Sequence, residues 1–182
     1  DIQKLNLDEL RILADETRDA LIHKISLAGG HNGPNLGMVE VTTALHYVFH
    51  SPIDKFVFDV SHQSYPHKIL TGRKQAFLDE EHFHDVTGYT NPEESEHDFF
   101  TIGHTSTSIS LALGLAKGRD LNHGKENIIA IIGDGSLSGG EALEALDYAG
   151  EYRNNLIIIV NDNDQSIAEN HGGLYKNLKE LR

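Results

Sequence analysis

Two short apolar runs in the last third of the sequence, joined by a helical pattern, constrain the fold more than any other feature. Ile128–Ile132 and Leu156–Val160 are each too short for a free-standing helix and end in polar turns, which is typical of buried strands. Between them, Ala142–Ala149 carries apolar residues at helical spacing and is followed by Gly150, which predicts an amphipathic helix that ends there. A strand, a helix and a strand in this order form a right-handed crossover, so we expect the two strands to be parallel and adjacent.

This topology brings two polar turns to one edge of the sheet. Gly133-Asp134-Gly135 ends the first strand, and Asn161-Asp162-Asn163 ends the second after 25 intervening residues. Ligands of open parallel sheets bind at this edge. The Asp134 carboxylate, the Asn163 amide oxygen and the backbone carbonyl of Gln165 form the hard oxygen set that Mg²⁺ prefers.

Composition limits what such a site binds. With 15 Lys and Arg against 28 Asp and Glu, the formal net charge is −13, which argues against nucleic acid and anionic membrane surfaces as partners. An anionic ligand would then be held by a metal and by backbone N–H groups near Ser136–Gly139, with Gly133 and Gly135 allowing close approach. The absence of cysteine, of a signal-peptide pattern and of a long apolar run predicts a single-domain cytoplasmic protein.

The amino-terminal half supplies two further candidate residues, both histidines. Leu7–Leu27 and Met38–Phe49 show helical patterns, and a glycine-rich turn between them contains His31, for which a solvent-facing position is the simplest local interpretation. Lys55–Val60 is a predicted strand, and His62 follows it directly. A histidine at the carboxyl end of a strand in an α/β sheet is well placed to contact a ligand.

The middle of the chain is the most polar part. Arg73–Asp98 contains many acidic residues and histidines, and its composition favours a mobile acidic surface segment. Phe99–Ile102 is a predicted strand that leads into Gly103-His104-Thr105 and then a helix rich in Ala and Leu. Candidate residues are therefore expected at the carboxyl ends of strands of one sheet: His62, His104, Asp134 and Asn163.

Four longer segments resemble one enzyme family. GGHNGPNLGMVEVTTALHYVF, FDVSHQSYPHKILTGR, SEHDFFTIGHTSTSISLALGLA and IIGDGSLSGGEALEAL follow one another as in the 1-deoxy-D-xylulose-5-phosphate synthase family, whose members are relatives of transketolase. The resemblance is clearest from Leu27 to about Leu174. It implies an α/β thiamine diphosphate-binding fold, with a mostly parallel sheet and helices on both faces.

The resemblance also implies a reaction and a cofactor. Thiamine diphosphate, bound through Mg²⁺, would support the condensation of pyruvate with D-glyceraldehyde 3-phosphate to 1-deoxy-D-xylulose 5-phosphate and CO₂, which feeds isoprenoid, thiamine and pyridoxal biosynthesis. His31 resembles the histidine that transfers protons near the reacting carbon. The implied metal ligands are Asp134, Asn163 and Gln165, and the implied cofactor-binding residues are His62, Gly103, His104, Thr105, Gly135, Ser136 and Asn163.

The sequence departs from the family pattern in three respects. Ser61 stands where the family usually has glycine, and Asp164-Gln165 replaces the commoner Glu-Met. Family members are several times longer, and the glutamate that protonates the cofactor's aminopyrimidine ring lies in their second domain. We therefore expect residues 1–182 to be a truncated cofactor-binding domain that binds Mg²⁺ and diphosphate weakly and turns over nothing alone, as part of a homodimer or together with a complementary carboxyl-terminal half.

Three alternatives stay open on the sequence. The chain would also suit the amino-terminal subunit of a split transketolase, or a non-catalytic paralogue that keeps the fold as an interaction module. A haloacid-type phosphatase would need a nucleophilic aspartate with a second acid two residues later, and the best strand end for it reads Asp59-Val60-Ser61.

Overall fold

The structure, a computed structural model, describes residues 2–152, 155–162 and 170–181. Its strands form one parallel sheet in the order β1 (Lys55–Phe58), β2 (Ile128–Gly133) and β3 (Leu156–Asn161). The α-helices are α1 (Leu7–Ala28), α2 (Asn32–Leu36), α3 (Val39–Val48), α4 (Tyr65–Lys68), α5 (Gln75–Leu78), α6 (Ser108–Leu121), α7 (Asp134–Leu137), α8 (Gly140–Glu151) and α9 (Gly173–Leu181). Short 3₁₀ turns cover Ile2–Lys4 and Glu80–His82, and a π-turn covers Ile69–Arg73.

The predicted crossover is confirmed. β2 and β3 are parallel neighbours, and their register places Gly133 opposite Asn161. The chain therefore leaves the sheet at Asp134 and at Asp162 side by side, on the same edge. The helix between the two strands differs in detail from the prediction, because it is divided into α7 and α8 and continues through Gly150 to Glu151.

Helices cover both faces of the sheet, as expected for an α/β fold. Successive side chains of a strand point to opposite faces, and β2 is buried on both. Ile129 and Ile131 pack in one cluster with Met38 and with Leu45 of α3. The other residues of β2 pack on the opposite face with side chains of α6 and α8, in a cluster that includes Ile128, Ala130, Ile132, Ile109, Ala112, Ala142 and Ala145.

The strand predicted at Phe99–Ile102 is not formed, so this prediction was wrong. The carbonyls that a strand would use for sheet pairing are taken by side chains instead. Thr90 Oγ1 donates to the Phe100 carbonyl at 2.8 Å, and Ser61 Oγ donates to the Ile102 carbonyl at 3.1 Å. His104 consequently does not follow a strand, contrary to the expectation from the sequence.

The acidic segment 73–98 lies at the surface over most of its length, as expected, but Glu94 and Asp98 are withdrawn from solvent by ion pairs. Its mobility stays a prediction. Two of its acidic residues pair with basic side chains of the preceding helix and π-turn, in a group that we call the ion-pair cluster: His67, Lys68, Arg73, Glu94 and Asp98. Arg73 donates to both Asp98 oxygens at 2.7 and 2.9 Å, and Lys68 Nζ lies 2.5 Å from Glu94 Oε2. His67 Nε2 lies 3.2 Å from Asp98 Oδ1, and the His67, Lys68 and Asp98 side chains are at most 1% exposed.

Among the residues that the structure describes, there is no helix with the length and apolar character needed to cross a membrane.

Candidate functional site

A cavity of about 580 Å³ opens at the carboxyl edge of the sheet, where β1, β2 and β3 end. This volume is in the range of small-molecule and cofactor sites. The cavity brings together several of the residues expected from the sequence. Its lining comprises Gly33, Pro34, Met38, Asp59, Val60, His62, Gln63, Thr105, Gly133, Asp134, Gly135, Ser136 and Asn161.

Asp134 is one of two aspartates that line this cavity. It is the first residue of α7, directly after β2, and is 4% exposed. Asn170 Nδ2 donates to its Oδ2 atom at 2.7 Å, and the Tyr175 hydroxyl donates to its carbonyl at 3.1 Å, so the chain that includes α9 packs onto this turn. Burial raises the pKa of Asp134, and the neighbouring Asp162 raises it further, whereas the Gly135 N–H opposes the shift.

The expected metal set is described only in part. Asn163 and Gln165 lie outside the described residues. Asp162, the residue before Asn163, is close enough to Asp134 to share a hydrogen bond with it. Two acidic side chains in contact at a half-enclosed edge suit a divalent cation, which would offset their repulsion. Within residues 2–152, 155–162 and 170–181, no group of three His, Asp or Glu residues could hold a metal ion without other ligands.

The turn that carries Thr105 is hydrogen bonded to Asp59, which also lines the cavity. Both oxygens of the buried Asp59 carboxylate accept backbone N–H groups, from Ser106 at 2.9 Å and from Ser108 at 3.0 Å, where α6 begins. Ser106 Oγ donates to the Ser136 carbonyl at 2.8 Å, which joins this turn to α7. Asp59 is thus engaged as a helix cap, and a phosphatase nucleophile at this position is not supported.

Gly103 and His104 belong to the same turn but are exposed, and neither is among the residues that line the cavity. His104 Nδ1 lies 2.8 Å from the Thr105 carbonyl, which fixes the imidazole to its own turn. Their expected contact with a cofactor therefore stays a prediction that this cavity does not support directly.

His62 and Gln63 present unpaired polar atoms at the cavity. Both residues line it, and His62 Nδ1 and Gln63 Oε1 are buried with no hydrogen-bond partner in the described part of the chain. Buried polar atoms are normally paired. Neither atom is exposed to the cavity space, so a ligand would contact them only after the side chains rotate. Burial, and then the charge of nearby His31, lower the pKa of His62, which is therefore neutral near pH 7.

His31 lies behind His62 and does not line the cavity itself. The two rings meet edge to face, with centroids 5.4 Å apart, and the Tyr89 ring lies at 5.4 Å on another side. The Tyr65 hydroxyl is 3.4 Å from His31 Nδ1. Burial lowers the pKa of His31. The histidine is half-buried, so the simplest interpretation of its local sequence, a solvent-facing position, was wrong.

The sequence did not single out Gln63 or the Gly33-Pro34 pair as site residues. Gln63 follows His62 at the end of β1, so its position was the signal that could have found it. Nothing in the local sequence indicates that α2 and Met38 close the opposite wall of the cavity, because that depends on how α1 and α3 pack.

Comparison with known proteins agrees with this geometry. The family model described as 1-deoxy-D-xylulose-5-phosphate synthase matches residues 1–182. Synthases of that name from Pelotomaculum thermopropionicum and Desulforudis audaxviator are 50% and 52% identical over the whole chain. The chain spans 29% of the length of these relatives.

A solved structure supports the fold independently. Transketolase from Campylobacter jejuni superposes on this chain with a TM-score of 0.75 at 20% identity, covering 97% of this chain and 32% of the transketolase chain. At this level of identity the likeness shows the fold alone.

Proposed function

The chain belongs to the 1-deoxy-D-xylulose-5-phosphate synthase family, and we propose that it forms the half of such an enzyme's active site that holds a metal ion and the diphosphate of thiamine diphosphate. The observation that carries the proposal is the cavity at the carboxyl edge of the sheet. Asp134, Gly135, Ser136, Thr105 and His62 line it together, although they come from three separate segments. Residues 1–182 would be the cofactor-binding domain of this enzyme.

The residues around the cavity fit this cofactor. Asp134 would coordinate Mg²⁺ together with Asn163 and the Gln165 carbonyl, and its contact with Asp162 concentrates negative charge where a cation is needed. The backbone at Gly135 and Ser136 would donate to the diphosphate, which supports binding of an anion by a chain of net charge −13. His62 and Gln63 line the cavity and each has a polar atom unpaired among the described residues, so rotation of either side chain would offer that atom to a ligand.

The substrates would be pyruvate and D-glyceraldehyde 3-phosphate, and the products 1-deoxy-D-xylulose 5-phosphate and CO₂, for isoprenoid, thiamine and pyridoxal biosynthesis. When bound, the cofactor supplies the carbanion chemistry of this transfer. His31 would move a proton near the reacting carbonyl, and its lowered pKa supports this role because a neutral imidazole both accepts and donates protons. A complementary carboxyl-terminal part or a second copy would supply the remaining site residues.

A binding titration tests the proposal. Calorimetry of the 182-residue chain with Mg²⁺ and thiamine diphosphate should show binding of each that depends on the other. Asp134→Asn should weaken the linked binding by about 10- to 100-fold, the scale seen when a metal site loses an orienting interaction. Asp8→Asn is the matched control, since it removes the same charge at an exposed side chain of α1.

The outcome separates the alternatives. A non-catalytic paralogue would show no linked binding, and unchanged binding by Asp134→Asn would contradict the metal site. CO₂ release at an enzymatic rate by the 182-residue chain alone, with pyruvate and glyceraldehyde 3-phosphate, would show that the chain holds more than half of the active site. A split transketolase would use a ketose phosphate as donor, but the 50–52% identity to the synthases over the whole chain supports pyruvate.

A further inference from the structure

Ser61 adopts an unusual backbone conformation at the end of β1. Its φ angle is 68° and that of the preceding Val60 is 57°, so two consecutive residues with side chains occupy the left-handed region. The Ser61 N–H donates to the Asp59 carbonyl at 2.5 Å across this tight turn. Residues with a Cβ atom avoid this region, and such strain persists only where the surrounding structure holds it. The Ser61 side chain supplies contacts that do so.

The Ser61 hydroxyl joins three segments of the chain. It is fully buried, donates to the Ile102 carbonyl at 3.1 Å and accepts the Thr90 backbone N–H at 3.0 Å. Thr90 in turn donates its hydroxyl to the Phe100 carbonyl at 2.8 Å. Through its hydrogen bonds to Thr90 and Ile102, the Ser61 side chain therefore connects the segment that ends at Thr90 and the turn that leads to Thr105 with the end of β1. A glycine at position 61 would suit the backbone but could make neither contact.

The segment that ends at Thr90 lies against His31. A Cβ atom built on Gly88 would come 3.5 Å from His31 Cε1, so the backbone approaches the imidazole directly. The ring of Tyr89 lies 5.4 Å from the His31 ring and the residue is 37% exposed, so Tyr89 contacts both the imidazole and solvent. The other rings that face His31 are His62 from the end of β1 and Tyr65 from α4.

We propose that Ser61 is a positioning residue, whose hydroxyl holds Gly88, Tyr89 and Thr90 in place so that Tyr89 covers His31 and limits the access of water to that imidazole. The geometric part concerns the ligand-free chain. The consequence for proton transfer rests on the proposed function.

The ion-pair cluster is the competing explanation for the position of this segment. Lys68 Nζ donates to the Thr87 carbonyl at 3.0 Å, and the Thr87 N–H donates to Glu94 Oε1 at 2.7 Å. These bonds attach Thr87, at the start of the segment, to Lys68 of α4 and to Glu94, and do not involve the end of β1. If they were sufficient, removal of the Ser61 hydroxyl would leave Tyr89 and His31 undisturbed.

Hydrogen exchange of single amides separates the two explanations. In Ser61→Ala, the Thr90 amide loses its acceptor and should exchange about tenfold faster, the scale of one lost hydrogen bond, while the Thr87 amide keeps its protection. Ser64→Ala is the matched control, because Ser64 is equally buried in the same turn and its hydroxyl has no hydrogen-bond partner among the described residues. Ser61→Gly removes the same hydroxyl without backbone strain, and it tests the proposal even if Ser61→Ala does not fold.

Titration of the His31 ring by NMR measures whether removal of the Ser61 hydroxyl exposes that imidazole to water. Burial holds the pKa of His31 below its ordinary value, so this pKa should rise in Ser61→Ala and Ser61→Gly and stay unchanged in Ser64→Ala. An unchanged Thr90 amide, or an unchanged His31 pKa in both Ser61 variants, would overturn the proposal. Both measurements use the chain without ligand, so their outcome is independent of whether thiamine diphosphate binds.

Discussion

The ion-pair cluster and the cavity are built from the same kinds of polar residue, but they differ in how those residues are paired. In the cluster, Asp98 accepts hydrogen bonds from Arg73, His67 and the Asn91 N–H. Glu94 accepts hydrogen bonds from Lys68, Arg73 and the Thr87 N–H. Among the described residues, Arg73 Nε is the unpaired buried atom of the cluster. At the cavity, His62 and Gln63 keep unpaired atoms. The clearer difference is in the charges, because each carboxylate of the cluster has a basic partner whereas Asp134 lies beside a second acid, Asp162. This indicates that the cluster supports the fold and that the cavity suits a cation.

Two buried aspartates make the contrast concrete. Burial alone would raise the pKa of both. In Asp98 the hydrogen bonds from His67 and Arg73 outweigh burial and lower the pKa, so the charge is stabilised by the protein itself. In Asp134 the nearby Asp162 adds to the effect of burial and raises the pKa. A carboxylate whose charge is opposed by its surroundings is a better candidate for binding a cation than one already paired.

The largest effect is expected from Asp98→Asn. Removal of this charge takes the bidentate partner from Arg73, whose side chain is 10% exposed and whose remaining ion pair among the described residues is the 3.3 Å contact with Glu94. Breaking a buried ion pair costs about 3–5 kcal/mol of the free energy of unfolding, and the remaining contact places the expected cost at the lower end of that range. Urea denaturation measures it. Asp8→Asn, which breaks the exposed pair with Arg11, should cost at most about 1 kcal/mol. If Asp98→Asn lowered the free energy of unfolding as little as Asp8→Asn does, the ion-pair cluster would stabilise the fold no more than an exposed ion pair.

The rim of the cavity should be disrupted by Gly139→Ala. A Cβ atom at this position would overlap the Ser106 hydroxyl and come 2.7 Å from Ser106 Cβ, so the turn that carries Thr105 must move. We expect a loss of about 1–3 kcal/mol, as in other overpacked sites, with weaker thiamine diphosphate binding. Gly140→Ala is the neighbouring control, since its Cβ meets nothing within 4 Å and alanine favours helix. Equal thermal stability of the two variants would contradict the close packing.

The smallest expected effect is a pH dependence of the free energy of unfolding that comes from His46, a neighbour of the ion-pair cluster. Burial lowers the pKa of His46, which is hydrogen bonded to His67, to about 3. Below about pH 6.5, His46 binds a proton in the unfolded chain but stays neutral in the folded chain. As the pH falls, this group should therefore lower the free energy of unfolding by up to about 1.4 kcal/mol per pH unit. Urea denaturation at pH 7 and pH 5.5 measures the slope.

His46→Gln should make that slope shallower because it removes the titrating group. His82→Gln is the comparison variant, since the Asp85 hydrogen bond raises the pKa of the exposed His82, and its loss should not make the slope shallower. An identical slope in wild type and His46→Gln would show that His46 is not the buried neutral histidine described here.

The sequence predicted the sheet well where periodicity and burial agree. β2 and β3 are continuous apolar runs too short for a helix, and the helical pattern between them indicates a crossover. Burial on both faces is found for β2, whereas β3 at the edge of the sheet is only half-buried, so the expectation of a buried strand there was wrong. The strand predicted at Lys55–Val60 is two residues too long, because β1 ends at Phe58 and Val60, although a good strand former, turns into the left-handed region. Phe99–Ile102 failed for a related reason, since the side chains of Ser61 and Thr90 took the carbonyls that strand pairing needs.

By itself the sequence determined the α/β class, the common edge at which β2 and β3 end, and the family, because these follow from local patterns and from order along the chain. The expected pairing of Asp134 with Asn163 stays a prediction, because Asn163 lies outside the described residues. Tertiary structure alone decided that Asp98 of the acidic segment is buried and that His31 packs against the rings of His62 and Tyr89. Those outcomes depend on which charges meet across tens of residues, as Arg73 and Asp98 do. The free energy of a charged group depends on its partner and its burial, and neither is encoded in the residue type or its spacing.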